Sequence, residues 1–201
     1  YLAMPNIEGQ LVAKEIGMFT KYHANKDFVK DEPFMLQNVK KDKKMDSLME
    51  KRFVIKDKIK EKIYLSNIIV PKDSKVEASH HYGIDKFFQT GAVLFHIINN
   101  EYSKIIVMMF EKQKYPSHYH NIKTETYLVL EGDLEIKVEK NKSVKLKKGD
   151  VYTIKKNIIH SFKTKNGVVF EEIATKYIKG DSKYLDKSIH KNRKTIINLF
   201  N

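Results

Sequence analysis

From Ala92 onward, short apolar runs alternate with turn-forming residues. Ala92–Ile98 and Lys104–Phe110 are split by Asn99-Asn100, and Thr126–Leu130 and Leu134–Glu139 by Glu131-Gly132-Asp133. Val144–Leu146, Val151–Ile154, Ile158–Lys163 and Val168–Ala174 follow, with breaks at Lys148-Gly149, Lys156-Asn157 and Asn166-Gly167. Many short runs bounded by Gly and Asn predict a mainly β sandwich or barrel. Leu134–Glu139 alternates strictly, so this strand has one core face and one wet face. Upstream the period changes. Ser47–Ser66 places Leu48, Ile55, Ile59 and Ile63 at helical spacing, opens on a Ser47/Glu50 capping box and is followed by Pro71. Residues 45–70 therefore read as a helix that connects a small N-terminal arm (1–44) to a β domain spanning 71–201.

Composition narrows the class. At 201 residues, with 41% hydrophobic and 11% aromatic content, the chain can bury a core of one main domain and carry a small appendage. The apolar runs are strand-sized, so no membrane span and no membrane partner are expected. The absence of cysteine rules out a disulfide framework and predicts a cytoplasmic protein. The net charge of +13 raises the question of nucleic acid. Of 38 basic residues only Arg52 and Arg193 are arginine, the residue that base and phosphate readers enrich, and the lysines are scattered. A solvated basic surface is the reading, with no nucleic-acid partner.

The chemistry concentrates in Pro116–Glu125. Alternation along a strand puts His118 and His120 on one face. Glu125 follows five residues later, and His160 lies downstream, beyond Gly149-Asp150 and Ile154. Three imidazoles and a carboxylate form a mixed N/O ligand set that suits one divalent Mn, Fe, Ni, Zn or Co ion rather than Ca or Mg. The other histidines, His23, His80, His81, His96 and His190, read first as packed or surface residues.

The pattern H-x-H-x4-E-x6-G, completed at Gly132, together with the second half-motif ending at His160, resembles the two motifs of the cupin superfamily. The resemblance covers roughly residues 92 to 175 and implies a double-stranded β-helix (jelly roll) whose cavity the metal motif lines. Cupins usually carry Pro and Gly in the turn before the last histidine, where this chain has Lys155 and Asn157. Asn tolerates the left-handed conformation, so the turn is expected to survive.

Further segments resemble the C-terminal region of N-acetylneuraminate (sialic acid) synthase-like proteins. They are Ser79-His80-His81-Tyr82-Gly83-Ile84, Thr90-Gly91-Ala92, Asn99-Asn100-Glu101-Tyr102, Phe170–Thr175, Gly180-Asp181-Ser182 and Arg193-Lys194-Thr195. In those proteins an antifreeze-like (SAF) segment precedes the cupin, and Ala24–Pro33 is similar to its characteristic turn, with Asp31 where Gly is expected. The arm is thus SAF-like or a linker. The resemblance implies a sugar or sugar acid ligand in nonulosonate surface-carbohydrate biosynthesis and a TIM-barrel synthase domain as a partner. Cupins also commonly pair through sheet edges, so a homodimer is expected.

A second resemblance is to D-lyxose isomerases, cupins whose motif reads H-x-H-x-x-K-x-E, matched here by His118, His120, Lys123 and Glu125. Glu172-Ile173-Ala174 and Asp181 match segments of the same family. This implies catalytic roles for Lys123 and Glu172, which would move protons between C1 and C2 of a sugar through a cis-enediol. A dication beside Lys123 in a dry cavity would push its pKa down. Salt bridging of Lys123 to Glu125 or Glu172 is the structural alternative. His80, His81 and Tyr82 are candidate substrate contacts at the cavity mouth, with Asp181 beside them. A stand-alone aldose–ketose isomerase and a non-catalytic sugar-sensing or assembly module both stand as alternatives to the biosynthetic reading.

Overall fold

The computed structural model describes residues 43–139, 142–176 and 178–199, with side chains from residue 47. The SAF-like turn at 24–33 and nearly all of the arm lie outside the described residues. Helix α1 (Lys43–Ser66) is followed by β1 (Lys75–His80), a 3-10 turn (Ile84–Lys86), β2 (Gly91–Asn99), β3 (Tyr102–Met109) and β4 (Lys114–His120). Then come β5 (Glu125–Val138), β6 (Lys142–Lys147), β7 (Val151–Ile154), β8 (His160–Lys163), β9 (Val168–Thr175), β10 (Ser182–Tyr184) and β11 (Lys194–Ile196). Every named strand pairing is antiparallel. Among the described residues no helix is long and apolar enough to cross a membrane.

The strands form one curled sheet in the order β10-β4-β8-β5-β9-β3-β2-β1-β11, with β6 and β7 also paired to β5. Two expectations are corrected. Thr126–Leu130 and Leu134–Glu139 are not two strands but one, β5, because Glu131-Gly132-Asp133 makes a bulge rather than a turn. The register shifts between Val129 and Glu131, and Gly132 has φ +82°. The bend lets the first half of β5 pair with β7 and β9 and its second half with β6 and β8. The helix also starts earlier than the Ser47/Glu50 box suggests: Ser47 sits inside α1, which begins at Lys43.

Two apolar cores follow from the alternation. The concave side of the sheet encloses Ile105, Val107, Tyr127, Val129, Ile136, Phe162 and Phe170. The convex side, with Val76, Val93, Phe95, Ile106 and Met108, takes the stripe of α1 through Ile55 and Ile59. Burying each of these two isoleucines is worth about 1.5–3 kcal/mol. Consequently β1, β2, β3 and β9 are buried on both faces over much of their length, and polar residues on the concave face stand out. Register places Lys75, His96, Ile105, Glu172 and Tyr127 in one row across β1, β2, β3, β9 and β5.

Candidate metal centre

Three strands deliver the four expected ligands. His118 and His120 both turn inward from β4, His160 opens β8 directly opposite His118, and Glu125 opens β5. Pro116 lies where the β4–β8 register shifts, a bulge that tolerates a residue without an N–H. Asn157 adopts φ +65°, as the turn before His160 requires, and its N–H donates to the carbonyl of His120 (2.6 Å). All four side chains are buried, and one ligand atom from each lies within 4.8 Å of the others.

The donor chemistry fits a cation. The Nδ1 of His118 bonds the carbonyl of Pro116 and that of His160 the carbonyl of Ile158, each at 2.9 Å. Since a carbonyl only accepts, both rings carry the proton on Nδ1 and turn a lone pair on Nε2 toward the cluster. His160 Nε2 then lies 2.8 Å from Glu125 Oε1, and His120 Nε2 is 3.6 Å from Glu125 Oε2. His160 Nε2 and both ring nitrogens of His120 are buried without a hydrogen-bond partner. Lone pairs that converge at this spacing repel one another unless a cation lies among them. With metal–ligand bonds of ~2.1 Å, adjacent donors stand roughly 3–3.5 Å apart, near the 2.8 and 3.6 Å by which His160 and His120 approach Glu125. Burial, reinforced by the neighbouring His160, holds His118 well below the usual imidazole range, and burial with the Lys123 charge lowers His120 to about 4. Both are neutral donors at pH 7. Burial works against the Glu125 carboxylate, but the Lys123 ammonium outweighs it and keeps Glu125 ionised. The Tyr127 hydroxyl also donates to Glu125 Oε1 (2.8 Å). The residues therefore suit a metal ion.

Lys123 is almost fully buried beside this cluster. Its ammonium lies 2.6 Å from Glu125 Oε2 and 2.5 Å from Glu172 Oε1. Burial disfavours the ammonium, but Glu172 and Glu125 outweigh it and hold Lys123 above the ordinary lysine range. That is opposite to the depression a neighbouring dication alone would impose. Glu172 is raised, because burial outweighs the single ammonium that it shares with Glu125. Strand alternation separates Glu172, which faces inward, from its neighbour Glu171, which points out to Lys104 (2.7 Å).

His118, His120, Glu125, Lys123 and Glu172 share a cavity of about 770 Å³. The other predicted contacts sit differently. Asp181 accepts from the backbone N–H groups of Asn121, Ile122 and Lys123 at 3.0, 3.1 and 3.1 Å, so its carboxylate clamps the turn between β4 and β5. His80 Nε2 bonds the Thr195 hydroxyl (2.8 Å) and His81 Nε2 the Tyr184 hydroxyl (3.1 Å), while the Tyr82 hydroxyl donates to Asp186 (2.6 Å). None of these three lines the cavity; they tie the segment after β1 to the C-terminal strands. Sequence reasoning missed three residues. Tyr127, two positions after Glu125, was accessible from strand period. Tyr184, stacked 5.4 Å from His118 and sharing a hydroxyl contact with Tyr115 (3.1 Å), and Arg193, over the Tyr184 ring at 4.9 Å, come from segments too short for any periodic signal.

Comparison with known proteins agrees with this architecture. Residues 106–170 match the family model of the cupin domain, a span that includes all four ligand candidates. No curated protein matches the sequence. Among solved structures, an L-ribose isomerase mutant of Acinetobacter sp. DL28 in complex with L-ribose aligns with a TM-score of 0.59 at 10% identity, covering 72% of this chain and 94% of that one. L-ribose isomerase of Cellulomonas parahominis with L-psicose gives 0.54 at 11% identity, covering 69% and 92%. A Klebsiella pneumoniae protein with a double-stranded β-helix domain gives 0.43 at 17% identity, covering 48% and 85%. At these identities the likeness is one of fold. The chain has the cupin double-stranded β-helix fold, and its buried His/Glu cluster can hold a metal ion.

Proposed function

We propose that this protein is a divalent-metal cupin that binds a sugar and interconverts its aldose and ketose forms. The observation that carries this reading is Lys123, a buried ammonium shared by metal-ligand candidate Glu125 and by Glu172 inside one cavity. His118, His120, Glu125 and His160 would hold the ion, of the Mn, Fe, Zn, Ni or Co type. Bound there, it supplies Lewis acidity to the oxygens on C1 and C2.

The chain's own residues then divide the proton work. Glu172, whose carboxylate is raised into a more basic range, takes the proton from C2. Lys123, an ammonium, donates to O1, and the cis-enediol forms. Returning the proton from Glu172 to C1 while O2 loses its proton to Lys123 gives the ketose, with no net oxidation. The fold likeness to two L-ribose isomerases supports a sugar as the substrate class.

A second reading has its own support. The segments that resemble sialic acid synthase-like proteins contribute Ser79, Asn99, Glu172, Ser182 and Arg193 to the cavity lining. On that reading the sugar belongs to nonulosonate biosynthesis, with a condensing domain as partner and a second copy paired along a sheet edge.

The test is solvent exchange. Metal-loaded protein is incubated in deuterated buffer with a panel of aldoses, and deuterium at C1 and C2 is read by NMR. The isomerase reading expects label in at least one sugar, its loss in Lys123→Ala and Glu172→Gln, and unchanged metal content in both variants. No label in any sugar, with metal bound, would refute it.

A further inference from the structure

The cavity carries more positive charge than its chemistry consumes. Six cationic side chains line it against three carboxylates, Glu77, Glu125 and Glu172. The carboxylates are already answered. Lys194 lies 2.9 Å from Glu77, and Lys123 serves both Glu125 and Glu172. That leaves Lys75, Lys179, Lys191 and Arg193 on the wall, with no carboxylate partner among the described residues. A metal ion would add to the surplus. A concave, low-dielectric wall of one sign focuses its field into the cavity and favours an anion there.

Arg193 stands apart from the lysines. It is one of two arginines in the chain, and it is held in place. Its carbonyl accepts from the His80 N–H (2.7 Å), and its guanidinium carbon lies over the Tyr184 ring at 4.9 Å. Among the ring neighbours of Tyr184 are His81 at 5.0 Å and His118, stacked at 5.4 Å. One phenol ring therefore separates the fork of donors from the metal-ligating imidazole. Lys179 and Lys191 come to the same cavity from the loops before β10 and β11.

We infer that Arg193, with Lys179 and Lys191, receives an anionic group on the substrate, a phosphate or carboxylate at the end of the sugar remote from the metal. A guanidinium fork matches the paired oxygens of either group, and stacking on Tyr184 presets its plane. This rests on the sugar reading of the metal site and assigns its substrate class, an anionic rather than a neutral aldose.

The experiment uses matched triplets: an aldose, its terminal phosphate and its terminal carboxylate, with ribose and glucose as parents. Each is titrated calorimetrically into Mn(II)-loaded full-length protein at low salt. We expect one anionic member to bind at least tenfold tighter than its neutral parent, and the arm that does so identifies phosphate or carboxylate. In Arg193→Gln that advantage should vanish while the neutral sugar binds as before, and Arg193→Lys should restore part of it. Circular dichroism and metal content verify that the variants fold and load. Equal affinities across a triplet, or a preference that survives Arg193→Gln, would overturn the anion site and leave the sugar site standing. Absence of binding by every member would remove both.

Discussion

Replacing Lys123 with Met should unsettle the site more than any surface change, because it strips a buried ammonium from two carboxylates at once. Glu125 keeps the Tyr127 hydroxyl as a donor, so the loss falls mainly on Glu172, whose 2.5 Å partner is gone. Removing one side of a buried ion pair costs about 3–5 kcal/mol. Against a typical total of roughly 5–15 kcal/mol the variant stays folded. For a chain of this size the melting temperature should fall by on the order of 10 °C. Urea titration of chelator-treated protein, followed by far-UV circular dichroism at pH 7, measures it. Two internal checks follow. Glu172 is already raised, and without Lys123 it rises further, so it is protonated at a higher pH when folded than when unfolded. The deficit is then full above its folded pKa and shrinks as the pH falls through it. Replacing both Lys123 and Glu172 with Met should recover most of the loss, since an apolar pair leaves no stranded charge. A loss under ~1 kcal/mol for Lys123→Met, or a double variant that is simply additive, would refute a buried shared ammonium.

Three further outcomes are expected. His81 is fully buried, and burial with the nearby Arg193 charge lowers it to about 3, so the folded chain refuses a proton that the unfolded chain accepts below about pH 6.5. Its contribution is complete above that pH and is lost on acidification; His81→Gln should reduce the acid slope of the urea midpoint by up to about 1.4 kcal/mol per pH unit. Gly132→Ala, at φ +82° with the carbonyl of Gly167 in the way of a Cβ, should cost at least ~2 kcal/mol, whereas Gly149→Ala, at φ +89° in open space, should cost only its backbone strain of about 1 kcal/mol; equal thermal shifts would contradict the bulge. Mn(II) at a hundredfold excess over its dissociation constant should raise stability by about 2.7 kcal/mol, a gain abolished in His118→Ala and His160→Ala.

The metal motif was legible because its information is local. Two histidines one residue apart share a strand face in any register, and Glu125 and Gly132 follow at short, fixed spacing. The helix stripe through Ile55 and Ile59 was legible for the same reason. What escaped was set by long-range pairing. Gly132 carries the same signal whether it ends a strand or bulges it, and only the partners β8 and β9 decide. Ser47 and Glu50 make a capping box on paper, yet the helix runs through them. β10 and β11 are three residues each, too short to show alternation, so nothing local pointed to Tyr184 at the metal cluster or Arg193 at the cavity wall. His80, His81 and Tyr82 show the converse: Nε2 of each histidine and the Tyr82 hydroxyl are engaged by Thr195, Tyr184 and Asp186, more than a hundred residues away.

The clamp made by Asp181 bears on how the protein is made. All four ligand candidates and Glu172 precede Thr175, yet the turn that joins the two histidines of β4 to Glu125 has three N–H groups tied to a carboxylate that is synthesised later. A nascent chain carrying every ligand would still hold that turn loosely. Its grip on a metal ion would tighten only once residues 178–184 leave the ribosome and lie down beside β4. Completion of the C-terminal strands thus becomes the step that fixes the turn between the ligand candidates of β4 and Glu125.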